Sequence, residues 1–288
     1  MLTPLFLLAG LAVTAAASPA SPLSAGDPVQ EAHVKTAGAL QKALGEARSY
    51  RGAAPQVMAA AVLRAACASQ AASLPGESRA AATLRDLADS DLSLAGLAEV
   101  LQELSADLSF VPDIEAQLPE GYPAPTPVRE IEVKQLPGYR MARAEMASGE
   151  NGAFWQLFRH IEGNDIAMTA PVRMDFDAAG EREALMAFLY GSTAAGPLGT
   201  AGAVQVIDAD AQSVVSTGRR GARTPQAVQE AEQQLRAWIE RPASAWRIDG
   251  PLRVPGYNSP FVPAAQRFWE VQFPVRARGG SGSKLTYL

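Results

Sequence analysis

From residue 128 onward the chain runs twice through one order of elements: strand, strand, helix, strand, strand. In the first pass, Val128 to Lys134 and Tyr139 to Met146 alternate apolar with polar residues, the period of a half-buried strand. Leu136-Pro137-Gly138 turns the chain between them. Gly152 to Ile161 carries Phe154, Trp155, Phe158 and Ile161 at helical spacing, then Ile166 to Met174 and Leu185 to Tyr190 read as extended. In the second pass, Ala203 to Asp208 and Ser213 to Thr217 are strands. Thr224-Pro225 opens a helix as N-cap and first-turn proline, with Val228, Leu235, Trp238 and Ile239 on its apolar face. Trp246 to Ile248, Gly256 to Val262 and Phe268 to Val275 complete it. A unit built twice in this order predicts an α+β fold, an antiparallel sheet with two helices. Two proline motifs, Met168-Thr169-Ala170-Pro171 and Asn258-Ser259-Pro260, are read as marking the two copies.

The residues before this region are different. Val29 to Arg48, Ala54 to Ala72, Ser78 to Ala88 and a stretch from Ser93 read as helices, the last with Leu94, Leu97, Leu101, Leu104 and Leu108 on one face. Residues 28–110 are therefore expected to be a small α-helical module with a packing or docking role. Pro112, Pro119, Pro123, Pro125 and Pro127 exclude a helix or central strand, so residues 111–127 read as a Pro-rich linker. The folded unit is assigned to 128–276, and 277–288 to a flexible tail. At the other end, Leu5 to Val13 is an apolar run too short to span a bilayer, followed by Ala15-Ala16-Ala17. This predicts a signal peptide over residues 1–17, export to the periplasm or beyond, and no membrane span after processing.

Composition removes several classes of function. A net charge of -5 gives no electrostatic footprint for nucleic acid. One cysteine, Cys67, forbids an intramolecular disulfide and reads as a buried inert thiol. With only two histidines, His33 and His160, there is no zinc cluster, and no histidine base stands in a nucleophile motif. Asp208 and Asp210 read as hairpin residues, and Arg219 to Arg223 as a solvated basic loop.

The stretch Phe154 to Asn164 followed by Ile166 to Val172 closely resembles the SOUL/haem-binding-protein family, and Gly256 to Phe261 with Arg267, Glu270 and Val271 resembles that family's C-terminal motif. The resemblance covers about Arg129 to Val275. It implies a distorted antiparallel β-barrel of two pseudo-symmetric repeats with two flanking helices. It also implies non-enzymatic binding of haem or another porphyrin-like molecule in a groove against the first of those helices. Carried onto this sequence, the groove residues are Phe154, Phe158, Arg159, Ile161, Phe261 and Val262, with Arg159 facing a propionate. Some members have a histidine in the first strand where this chain has Gln135, a poor haem ligand. A lysine of some members is replaced by Val262, and His160 lies on the polar side of its helix, so no strong axial ligand is expected. Two other readings stay open. One is a scaffold whose helical module docks a protein partner through an exposed leucine face. The other is a hydrolase, because a related two-repeat fold can carry that activity, which needs Glu132 or Glu145 inside the groove.

Overall fold

The computed structural model describes residues 28–51, 54–147, 149–242 and 244–279. The expected signal peptide and most of the expected tail lie outside them.

Four helices come first: α1 (Pro28–Ser49), α2 (Pro55–Ser73), α3 (Arg79–Ala88) and α4 (Leu94–Leu108). Ser78 and Ser93 cap α3 and α4, each accepting from a backbone N–H three residues on. Leu40, Leu63, Leu84, Leu97 and Leu101 are fully buried together in one core. The leucine face of α4 is spent on that core, so it is not the exposed docking surface a scaffold role requires. Cys67 lies in the same core, where burial pushes its thiol up to about 11.

The second part contains β1 (Ile131–Leu136), β2 (Tyr139–Glu145), α5 (Gly149–Gly163), β3 (Val172–Phe176), β4 (Glu183–Leu189), β5 (Gly199–Ala201), β6 (Val204–Ala209), β7 (Gln212–Arg220), α6 (Pro225–Glu240), β8 (Trp246–Ile248), β9 (Arg253–Gly256) and β10 (Phe268–Ala277). The antiparallel sheet runs β1-β7-β10-β9-β3-β4-β2-β6-β5, with β8 on β10. Exchanging β1 with β6, β2 with β7, β3 with β9 and β4 with β10 maps the path from β1 to β6 onto itself. The two repeats thus meet at a pseudo-twofold between β3 and β9. Among the described residues no ladder joins β1 to β5, so the barrel is an open one.

Three details depart from the sequence reading. β1 starts at Ile131, not Val128, because Arg129 takes a left-handed backbone (φ 64°) that interrupts the strand. The two proline motifs are not equivalent positions in the repeats. The first leads into β3 and the second leaves β9, and Val172 pairs with Gly256, so the motifs are neighbours in space. Finally, the basic stretch is not a solvated loop. Arg220 Nε donates to Asp107 at 2.5 Å, Arg223 pairs with Glu150 and Glu183, and Arg219 bonds Thr217 and Gln234.

One face of the sheet carries α5 and α6 over an apolar core that includes Leu157, Phe188, Val215, Leu235, Trp269 and Phe273. The opposite face is buried too, apolar around Leu136, Met141, Leu189 and Val214 and polar beside them. Ser216, Gln272, Arg253 and Asp175 stand in cross-strand register over β7, β10, β9 and β3. Residues 111–127 cover part of this face as an extended strap. Their exposure alternates, with Ile114, Ala116 and Leu118 turned inward against Val128, Ala170, Tyr257 and Phe268. A Cβ added at Gly218 of β7 would lie 2.8 Å from Pro127 O, so this close approach needs glycine.

The helices and the sheet exchange buried carboxylates. Glu130 inserts at the N-terminus of α3, accepting from Ser78 Oγ and from the backbone N–H groups of Arg79 and Ala80. His33 Nε2 stands 3.5 Å from the same carboxylate. In return, Asp107 of α4 receives Arg129 and Arg220.

Candidate functional site

α5 places its residues by simple rotation, about 100° per residue. Ala153, Leu157 and Ile161 point into the core. Phe154 and Phe158 fall on one shoulder of that buried face, half-exposed, and stack with centroids 6.0 Å apart. Phe154 also packs against Phe188 at 5.3 Å, which anchors the pair to β4. Trp155 stands edge-on to Phe158 at 5.6 Å and is 47% exposed. The exposed side chain of Arg159 is held by a 3.0 Å bond from Nε to Trp155 O. The result is an aromatic ledge with a guanidinium beside it.

Of the six residues assigned to the groove, three form this ledge: Phe154, Phe158 and Arg159. Ile161 is buried beneath it and supports the ledge rather than lining it. Phe261 and Val262 sit on the turn after β9. There Arg267 donates to Val262 O at 2.8 Å and to Pro260 O at 2.7 Å. That turn holds Phe261 at 93% exposure, outside the α5 ring stack. Trp155 belongs to the ledge as well, and its place one position after Phe154 on the helix is the signal that could have added it to the assignment.

His160 occupies the other shoulder of α5. Its Nε2 meets Tyr190 Oη at 3.1 Å, and burial pushes its pKa down. It therefore does not share a face with Phe154 and Phe158. Gln135 is exposed on β1, where its Oε1 accepts from Ser213 Oγ at 3.0 Å. The ledge accordingly fits an apolar macrocycle through its faces and an anionic substituent through Arg159, with neither His160 nor Gln135 placed to reach an iron from it. Glu132 and Glu145 alternate onto the sheet face away from α5, so neither puts a carboxylate on this ledge.

The C-terminal motif residues have a different job, one that reading the sequence missed. Glu270 is fully buried and every partner it has is placed. Its Oε1 accepts from Lys134 Nζ and Thr126 N, both at 2.6 Å, and its Oε2 from Tyr257 Oη at 2.7 Å and Gln272 Nε2 at 3.0 Å. Burial alone would raise this carboxyl, but Lys134 and the hydrogen bonds outweigh it and hold Glu270 below its ordinary range. Asn258 donates to Asp113 O and accepts from Phe268 N, while Ser259 N and Oγ both bond Glu115. From the first motif, Ala170 N donates to Gln117 O at 3.0 Å. Both motifs thus grip the strap.

A search of curated proteins finds no match. Among solved structures, the EcmrR–DNA complex is 14% identical, with 52% of this chain and 58% of that chain covered and a TM-score of 0.41. A hydrolase encoded by lin2189 from Listeria innocua is 13% identical, covering 53% and 94%, with a TM-score of 0.39. A transcription regulation protein from Staphylococcus aureus MU50 is 17% identical, covering 51% and 99%, with a TM-score of 0.32. Scores this low say nothing about a shared role. The family model described as SOUL heme-binding protein matches residues 123–274, just over half of the sequence and nearly the whole sheet with its two helices. This chain belongs to the SOUL heme-binding protein family.

Proposed function

We propose that this protein binds haem or a related tetrapyrrole against the aromatic ledge of α5 and does so as a carrier or sensor, not as an enzyme. The observation that carries the reading is the half-exposed Phe154–Phe158 stack with Trp155 and Arg159 beside it, on the helix to which the family resemblance points. Flat rings offer a macrocycle dispersion contact at low entropic cost. Arg159 would take a propionate, and the exposed ring of Phe261, on the turn braced by Arg267, would contact the ligand's edge. Bound haem would supply a chromophore and an iron centre. The residues of this chain would hold it by stacking and charge.

The apolar run Leu5 to Val13 and the Ala-x-Ala site support binding outside the cytoplasm. No helix among the described residues is long and apolar enough to cross a membrane. Titration with hemin, followed at the Soret band and by tryptophan fluorescence, tests the reading. Saturable binding with quenching is expected. Affinity no better than that of a generic apolar carrier would overturn it.

A further inference from the structure

The buried sheet face under the strap carries polar atoms that find no partner among the described residues. Ser216 and Gln272 stand opposite each other on β7 and β10, and Gln272 stands opposite Arg253 of β9. Gln272 gives a side-chain N–H to Glu270 at 3.0 Å, but its Oε1 is unpartnered, as is Ser216 Oγ. Arg253 spends one terminal nitrogen on Gln212 at 2.8 Å, while its Nε lies 3.9 Å from Asp175, beyond hydrogen-bond reach. The strap brings two more such atoms. Thr126 gives its backbone N–H to Glu270, yet its Oγ1 is unpartnered, and so is Tyr122 Oη.

These atoms belong to one interior. Thr126, Ser216 and Gln272 are fully buried, and the Tyr122 ring packs edge-on to Tyr139 of β2 at 6.2 Å. Burial raises the Tyr122 phenol. Tyr139 and Glu270 push the same way, while Arg173 and Arg253 oppose them, so its hydroxyl lies within electrostatic reach of that face. A hydroxyl gives and accepts, Gln272 Oε1 accepts and Arg253 Nε gives. Leaving all of them bare would carry the full cost of desolvation at every one. Charge on the face balances: Lys134, Arg173 and Arg253 stand against Glu132, Asp175 and Glu270. An ion thus gains no net attraction here, which leaves a small neutral occupant with donors and acceptors of its own.

We infer that water molecules are bound in this interior, bridging Ser216, Gln272 and Arg253 of the sheet to Thr126 and Tyr122 of the strap. At about three hydrogen bonds per buried water, these atoms call for roughly two molecules. The strap is then fastened partly through water, and these molecules exchange with solvent when it lifts. The site is on the sheet face away from α5, so failure of haem binding would leave it standing.

The test joins a high-resolution crystal structure of the full chain to thermal melting of Tyr122→Phe. Ordered water is expected within about 2.7–3.2 Å of Ser216 Oγ, Gln272 Oε1 and Tyr122 Oη. Tyr122→Phe keeps the ring and should fold normally. With water on the hydroxyl, the variant strands that water's other partners and should melt about 2–4 °C below the wild type. A hydroxyl with no partner at all gives the opposite sign, because its removal relieves a buried unmet group. The inference is overturned if no ordered water stands within reach of those atoms, if they bond one another directly, or if Tyr122→Phe melts at or above the wild type.

Discussion

Lys134 on β1 and Glu270 on β10 meet at 2.6 Å across the intervening β7, both buried on the sheet face away from the helices. Their ion pair also holds the strap, because Lys134 Nζ donates to Ala124 O and Glu270 accepts from Thr126 N. Breaking a buried pair leaves one charge uncompensated. Lys134→Met should therefore cost about 3–5 kcal/mol in urea unfolding. The double variant with Glu270→Gln should recover much of that loss, since no charge is then stranded. A single-variant loss below about 1 kcal/mol, the range of an exposed pair, would show that this one contributes little.

The carboxylates exchanged between helices and sheet should give opposite responses to acid. Burial alone would raise Glu130, but the His33 ring, the α3 backbone donors and Ser78 hold it below its ordinary 4.5. Its stabilising contribution is complete above that value and is lost as pH falls through the lower folded-state pKa. Asp107 is raised above 3.8 by burial, which Arg129 and Arg220 offset only in part, so acid favours its folded form. Equilibrium unfolding between about pH 3 and pH 6 should show Glu130→Gln flattening the acid loss of stability and Asp107→Asn steepening it.

Asn258 ties β10 to the strap, donating to Asp113 O of the strap at 2.5 Å and accepting from Phe268 N of β10 at 2.7 Å. Asn258→Ala removes an exposed bond to Asp113 O and a half-buried one from Phe268 N, and should cost about 0.5–1.5 kcal/mol. Limited proteolysis should cut faster within residues 111–118 of that variant than elsewhere. Unchanged cleavage there would mean the strap is held by its apolar side chains alone.

Much of the fold is legible in the sequence because its signals are local. Alternation marks β2 and β6, and the Thr224-Pro225 pair marks the start of α6 within a residue. The strap is the instructive failure. Five prolines exclude a helix or central strand, but proline does not exclude extended backbone packed against a sheet, and only the alternation of Ile114, Ala116 and Leu118 hints at it. The polar interior is hidden for another reason. Lys134 and Glu270 are 136 residues apart, and Arg220 and Asp107 are 113 apart, so their charges read as surface until the fold joins them. In the candidate site, helical spacing groups Phe154, Phe158 and Ile161 correctly on one helix. It does not tell that Ile161 belongs to the core and Trp155 to the ledge, because burial depends on what α5 packs against.

Phe261 offers a clean separation of binding from stability. At 93% exposure it contributes little to the folded core, so Phe261→Ser should leave the melting temperature within about 1–2 °C. If the turn after β9 closes over the ligand, the same variant should release hemin faster in stopped-flow transfer to an acceptor protein. Unaltered release would remove that turn from the site.

The most direct test of the ledge is a hemin titration of the wild type beside Trp155→Ser, read at the Soret band. Trp155 is 47% exposed, so the substitution should preserve the fold while removing one ring of the ledge. Saturable wild-type binding is expected, with an affinity roughly tenfold weaker in the variant, the loss of about 1–1.5 kcal/mol of ring contact. Equal affinity in the two proteins, with wild-type binding intact, would place the haem elsewhere and contradict it.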